Sequence, residues 1–124
     1  MDKVLIVEDD PVVGGVMQEH LSRRKVAAVC VTSLAAAAAA LEQDTYELVM
    51  LDLRLPDGDG QKFLEQLISR PERPLVVMVT GHGTIESAVT CMRLGAFDYL
   101  LKPFSGSQID VVLRKADAHR QLLS

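Results

Sequence analysis

Five short runs of apolar, largely branched residues recur along this chain, over 4–7, 26–31, 48–51, 75–79 and 98–101. Each of the first four is apolar at successive positions rather than at alternate ones. A strand of that kind has no face to give to water, so both sides of its sheet must be covered. Helical patterns fill the intervals. Asp10-Pro11 opens the first, with Asp as N-cap and Pro at the first helical position, and Val13, Val16, Met17 and Leu21 fall on one side. Ser33 can cap a second helix over 34–43, whose run 35–40 is all alanine, the best helix former. Phe63, Leu64, Leu67 and Ile68 mark a third, ended by Pro71 and Pro74. Thr84 can cap a fourth, with Ile85, Ala88, Val89 and Met92 on one face and Gly95 as its stop. Ser105 with Gln108 forms a capping box for the fifth, which shows Ile109, Val112, Leu113 and Ala116 on one side. Five strands alternating with five helices argue for an α/β fold with a doubly wound parallel sheet. Right-handed crossovers then set every strand's carboxyl end on one edge, where such sheets bind their ligands.

The 124 residues suggest one domain, 1–124. The hydrophobic share of 48% argues against disorder. A net charge of −4 argues against a nucleic-acid-binding surface. Cys30 and Cys91 lie in apolar surroundings and read as reduced core residues. The start has no signal-peptide pattern and no apolar run reaches membrane-spanning length, so a cytoplasmic location with no membrane partner is expected.

The carboxyl edge is where the chemistry collects. The first strand delivers Glu8-Asp9-Asp10, the third Asp52, the fourth Thr80 and the fifth Lys102. Clustered carboxylates need a cation when ionised. Oxygen donors without His or Cys favour a hard ion, and Mg²⁺ fits best. A metal beside a free carboxylate suits phosphoryl transfer, with Asp52 as the nucleophile, and with Thr80 and Lys102 meeting phosphoryl oxygens. Asp10 reads as an N-cap rather than a ligand. Asp57 and Asp59 read as turn and cap residues, His20 and His119 as surface residues, and Arg23, Arg24 and Lys25 as a solvated helix end.

Four stretches carry a resemblance: 4–10, 51–60, 79–81 and 99–104, in order and at matching intervals. Together they resemble the response-regulator receiver domains, which are CheY-like. The pieces 80–83 and 92–99 look most like receivers of NtrC-like, sigma-54-dependent transcription activators. The resemblance implies a flavodoxin-like (βα)5 fold with strand order 2-1-3-4-5. It implies Asp52 as phospho-acceptor and a Mg²⁺ site from Asp9, Glu8 through water, Asp52 and the Arg54 backbone carbonyl. It implies Thr80 and Tyr99 as a switch pair, Lys102 as the phosphate-pairing lysine, and a cis bond before Pro103. A histidine kinase would be the donor. The face of the fourth helix, fifth strand and fifth helix would meet an effector domain or a second copy. Such a domain is regulatory and catalyses only its own phosphorylation and dephosphorylation.

Two departures stand out. Glu8 replaces the commoner Asp, and Gly81 takes a place often held by Ala or Ser. His82 reads as a solvated loop residue, or else as a partner of Arg54 in tuning water attack on the phosphoryl group. Three other readings compete. A phosphatase with an Asp nucleophile commonly carries a second Asp two residues on, where this chain has Arg54. A flavodoxin-like cofactor binder needs a phosphate-cradling loop where Glu8-Asp9-Asp10 stands. A receiver used without phosphorylation, as a protein-interaction module, remains the main alternative.

Overall fold

The computed structural model describes residues 2–123. The elements in chain order are β1 (Lys3–Val7), α1 (Pro11–Arg23), β2 (Ala27–Val31), α2 (Leu34–Gln43), β3 (Leu48–Leu51), β4 (Arg54–Leu55), β5 (Gly58–Asp59), α3 (Gly60–Ile68), β6 (Leu75–Thr80), α4 (Ile85–Leu94), β7 (Asp98–Leu101) and α5 (Gly106–Leu123). Five strands form one sheet in the order β2-β1-β3-β6-β7, and every pair is parallel. That is the expected 2-1-3-4-5 order once the hairpin β4–β5 is set apart. The hairpin is a two-stranded antiparallel addition inside the loop after Asp52, and strand periodicity does not announce it, because each of its strands is two residues long.

Neighbouring residues of the central strands serve opposite layers, since successive side chains point to opposite faces of a sheet. Leu5, Val7, Val49, Leu51, Val76 and Met78 join α2, α3 and α4 in one buried cluster. Val4, Ile6, Leu48, Met50, Val77 and Val79 join α1 and α5 in the other. The expected caps are in place. Asp10 accepts from Val12 N–H at 2.9 Å, Ser33 from Ala36 N–H at 3.1 Å, and Asp59 from Gln61 N–H at 2.8 Å. Thr84 and Ser87 close a reciprocal capping box on α4, as Ser105 and Gln108 do at the start of α5. Gly95 ends α4 at φ 114°.

Two helix faces depart from expectation. On α1 the buried residues are Gly14, Met17 and Leu21, while Val12 and Val16 face solvent. On α4, Cys91 is buried and Ala88 half-buried, but Ile85, Val89 and Met92 are exposed. Apolar spacing marks a face of a helix; it does not say that the face is covered. His20 is also not a free surface residue. Its Nε2 lies 2.7 Å from Asp110 Oδ1 on α5, and Arg24 pairs with the other oxygen of Asp110. His119 is half-buried against Phe97, with ring centroids 5.3 Å apart. No helix among the described residues is long and apolar enough to cross a membrane.

Candidate functional site

The carboxyl ends of β1, β3, β6 and β7 bring together the residues that the sequence separates by up to 94 positions. Glu8 is 2% exposed and Asp52 4% exposed; Asp9 is open to solvent. The cation that makes this burial tolerable is Lys102. Its Nζ donates to Glu8 Oε1 and, at 2.9 Å, to Asp52 Oδ2. Glu8 also accepts from the Asp10 N–H at 3.1 Å, and Asp52 Oδ1 from the Arg54 N–H at 3.3 Å. No buried side-chain polar atom among the described residues lacks a partner.

One ammonium lies between two buried acids. Burial pushes the Glu8 carboxyl above the usual carboxylate range, and the hydrogen bonds from Lys102 and from the Asp10 N–H recover only part of that. Burial alone would lower Lys102, but the hydrogen bonds to Glu8 and then Asp52 outweigh it and hold the ammonium above its ordinary value. The three carboxylates of Glu8, Asp9 and Asp52 each offer an oxygen, and these oxygens lie within 4.8 Å of one another. The set is hard and all-oxygen, and it carries more negative charge than Lys102 offsets. Those are the donors that Mg²⁺ takes, so the residues present fit it.

Thr80 closes β6 fully buried, and its Oγ1 accepts from the His82 N–H at 3.1 Å. Through that bond Thr80 shapes the loop into α4. His82 itself is exposed, as is Arg54. Tyr99 is half-buried on β7, and its hydroxyl lies 3.0 Å from Ser87 Oγ, inside the capping box of α4. Ser87 was not singled out by sequence, although the Thr84-x-x-Ser87 spacing is that of a capping box. The Lys102–Pro103 peptide bond is cis.

Backbone packing fixes Asp52 from behind. Gly60, the first residue of α3, lies against the Asp52 carbonyl so closely that a Cβ there would stand 1.9 Å from that oxygen. Its N–H donates to the Leu53 carbonyl at 2.8 Å. The loop after Asp52 therefore returns onto itself within eight residues, and only glycine fits at the point of return.

A five-stranded parallel sheet in this order, with acids, a hydroxyl and a lysine at its carboxyl edge, is the CheY-like receiver fold. The family described as the response regulator receiver domain matches residues 4–114, and the chain belongs to it. Among curated relatives, it is 36% identical to the response regulator protein FleR of Pseudomonas aeruginosa over 92% of this chain and 24% of FleR. It is 32% identical to the response regulator protein PilR of the same organism, over 82% of this chain and 23% of PilR. The chain thus spans about a quarter of the length of these relatives. Among solved structures, the beryllofluoride-activated NtrC4 receiver domain dimer superposes with a TM-score of 0.88 at 27% identity, covering 94% of this chain and 96% of that one. The relatives include sigma-54 activators, as the sequence suggested.

Proposed function

We propose that this receiver is a phosphorylation switch. Asp52 takes a phosphoryl group from a phosphohistidine of a sensor kinase, and the resulting change controls an attached or separate effector, in the cytoplasm and in the service of transcription. The observation that carries this reading is the pairing of buried Asp52 with Lys102 and Glu8 at the sheet's carboxyl edge. A carboxylate oxygen of Asp52 forms the new O–P bond as the donor's N–P bond breaks, and the electron pair leaves with the imidazole. Asp9, Asp52, Glu8 through water and the Arg54 carbonyl would hold Mg²⁺, which when bound neutralises charge on the phosphoryl oxygens. Lys102 already stands at Asp52 and can follow the charge onto a phosphoryl oxygen. Thr80 supplies a hydroxyl one strand away; its Oγ1 accepts from the His82 N–H, which leaves its own O–H to donate to a phosphoryl oxygen. Arg54 and His82, both exposed, would set how readily water attacks the product.

The switch then runs through the loop into α4. Shifting Thr80 moves the residues that Tyr99 packs beside, and Tyr99 must release Ser87 to turn inward. The face of α4, β7 and α5 would change with it and meet an effector or a second copy. The receiver acts on itself and turns over no other substrate. The test is incubation with a small phosphodonor and Mg²⁺, followed by intact mass. The native chain should gain one phosphoryl group and Asp52→Asn none; equal labelling of both would remove Asp52 from the role.

A further inference from the structure

The loop after Asp52 makes a contact that the phosphorylation reading does not use. An α-helix leaves its first four N–H groups without partners inside the helix. On α2 the N–H groups of the first three helical residues go to two side chains, and the ordinary ladder begins with Ala37 N–H on the Ser33 carbonyl at 3.0 Å. Ala36 N–H donates to Ser33 Oγ at 3.1 Å. The other two leave the local chain. Leu34 N–H donates to Asp57 Oδ1 and Ala35 N–H to Asp57 Oδ2, both at 2.9 Å. One carboxylate, 22 and 23 residues further along the chain, thus completes the cap of α2. Negative charge at a helix N-terminus and two bonds to an ionised acceptor both favour this arrangement.

The contact also holds the hairpin. Two residue pairs, Arg54 with Asp59 and Leu55 with Gly58, make up β4–β5, and a hairpin of that size is not stable alone. Asp59 fastens one arm to the start of α3. Asp57, in the turn, fastens the other side to the start of α2, and Gly58 comes so near that a Cβ there would stand 2.9 Å from Leu34 Cδ1. Arg54, whose N–H meets Asp52 Oδ1, sits on this hairpin.

We propose that Asp57 is a positioning residue for the phospho-accepting loop: by capping α2 from across the fold it fixes the hairpin that presents the Arg54 backbone to Asp52 and to the cation. This rests on the phosphorylation reading above. A purely structural role would be stabilisation of α2, and a second variant separates the two. Ser33→Ala removes the other cap of α2 and touches neither the hairpin nor Asp52. Both Asp57→Ala and Ser33→Ala should lower the urea midpoint. Only Asp57→Ala should raise the Mg²⁺ concentration for half-maximal labelling by a small phosphodonor, by roughly 10-fold, the usual scale for losing support behind a metal ligand. Only Asp57→Ala should speed backbone hydrogen exchange over 53–60, measured without Mg²⁺. Asp57→Asn keeps one acceptor and should fall between; if the alanine variant does not fold, the Asn variant carries the comparison. Matching Mg²⁺ dependence and matching exchange over 53–60 in the Asp57 and Ser33 variants would overturn the proposal. Failure of the native chain to be labelled at all would instead overturn the phosphorylation reading.

Discussion

Lys102 holds two buried acids at once, and that makes its removal informative. Without it, Glu8 and Asp52 face each other with only backbone N–H groups as partners. Removing one member of a fully buried ion pair costs about 3–5 kcal/mol. The Lys102 side chain is 19% exposed, so water recovers part of this, and Lys102→Ala should lose about 1–3 kcal/mol by urea unfolding at neutral pH. Added Mg²⁺ should stabilise the variant more than the native chain, because a divalent ion replaces the missing charge. The pH dependence has a definite sign. Lys102 is raised in the folded state, so its contribution is complete below the ordinary lysine value and is lost as pH climbs through the raised one. The gap between native and variant should therefore close in strongly alkaline solution, where the ammonium is lost, and should also narrow in acid as the raised Glu8 carboxyl takes up its proton. A gap that stays constant with pH, or a variant indifferent to Mg²⁺, would show that the ammonium does not compensate the acids.

At the scale of an element, the start of α3 and the middle of α1 offer a contrast between two glycines. Gly60→Ala sets a Cβ against the Asp52 carbonyl and within 3.0 Å of Leu53 Cα. Both neighbours are backbone and cannot turn aside, so the cost should reach the upper end of overpacking, about 3 kcal/mol. Gly15, on the exposed side of α1, has nothing within 4 Å of a Cβ. Gly15→Ala should stabilise by about 0.5–1 kcal/mol through helix propensity. Equal midpoints for the two variants would mean that α3 does not press on the loop after Asp52. Gly60 also shows what the sequence could reveal. Buried strands, caps at Asp10, Ser33, Thr84 and Ser105, and the stop at Gly95 are local, so they were legible from neighbours in the chain. The gathering of Glu8, Asp52, Thr80 and Lys102 was legible because parallel topology sends every strand end to one edge. Asp57 on α2 was not, since nothing local marks a cap supplied from 23 residues away. The open faces of α1 and α4 were not either, because coverage depends on what packs where.

On the scale of the whole molecule, exposed apolar residues also occur on α1 and α5, but four of them lie on α4 and β7, which pack together. Ile85, Val89 and Met92 follow one another along α4 at helical spacing, Ile85 being 87% exposed, and Leu101 is exposed at the end of the edge strand β7. A contiguous apolar patch on a folded domain marks a surface meant to be covered. The patch adjoins the parts that the proposed switch would move. Tyr99 on β7 is tied to Ser87 in the first turn of α4, and the loop that enters α4 hangs from buried Thr80. A displacement of Thr80 toward Asp52 would pull on the loop that enters α4 and so on this face. A second copy of the chain is the partner that this predicts. Beryllofluoride with Mg²⁺ should increase the dimer fraction in sedimentation, and Asp52→Asn should abolish the response. Ile85→Lys should weaken the activated dimer by about 2 kcal/mol, some 30-fold in the dissociation constant, as for a central apolar anchor. Because Ile85 touches neither Asp52 nor Lys102, labelling of that variant by a small phosphodonor should proceed at the native rate. A dimer indifferent to Ile85→Lys would move the contact elsewhere. A dimer equally populated without beryllofluoride would break the link between the acid site and α4, and with it the account of Tyr99 as the coupling residue.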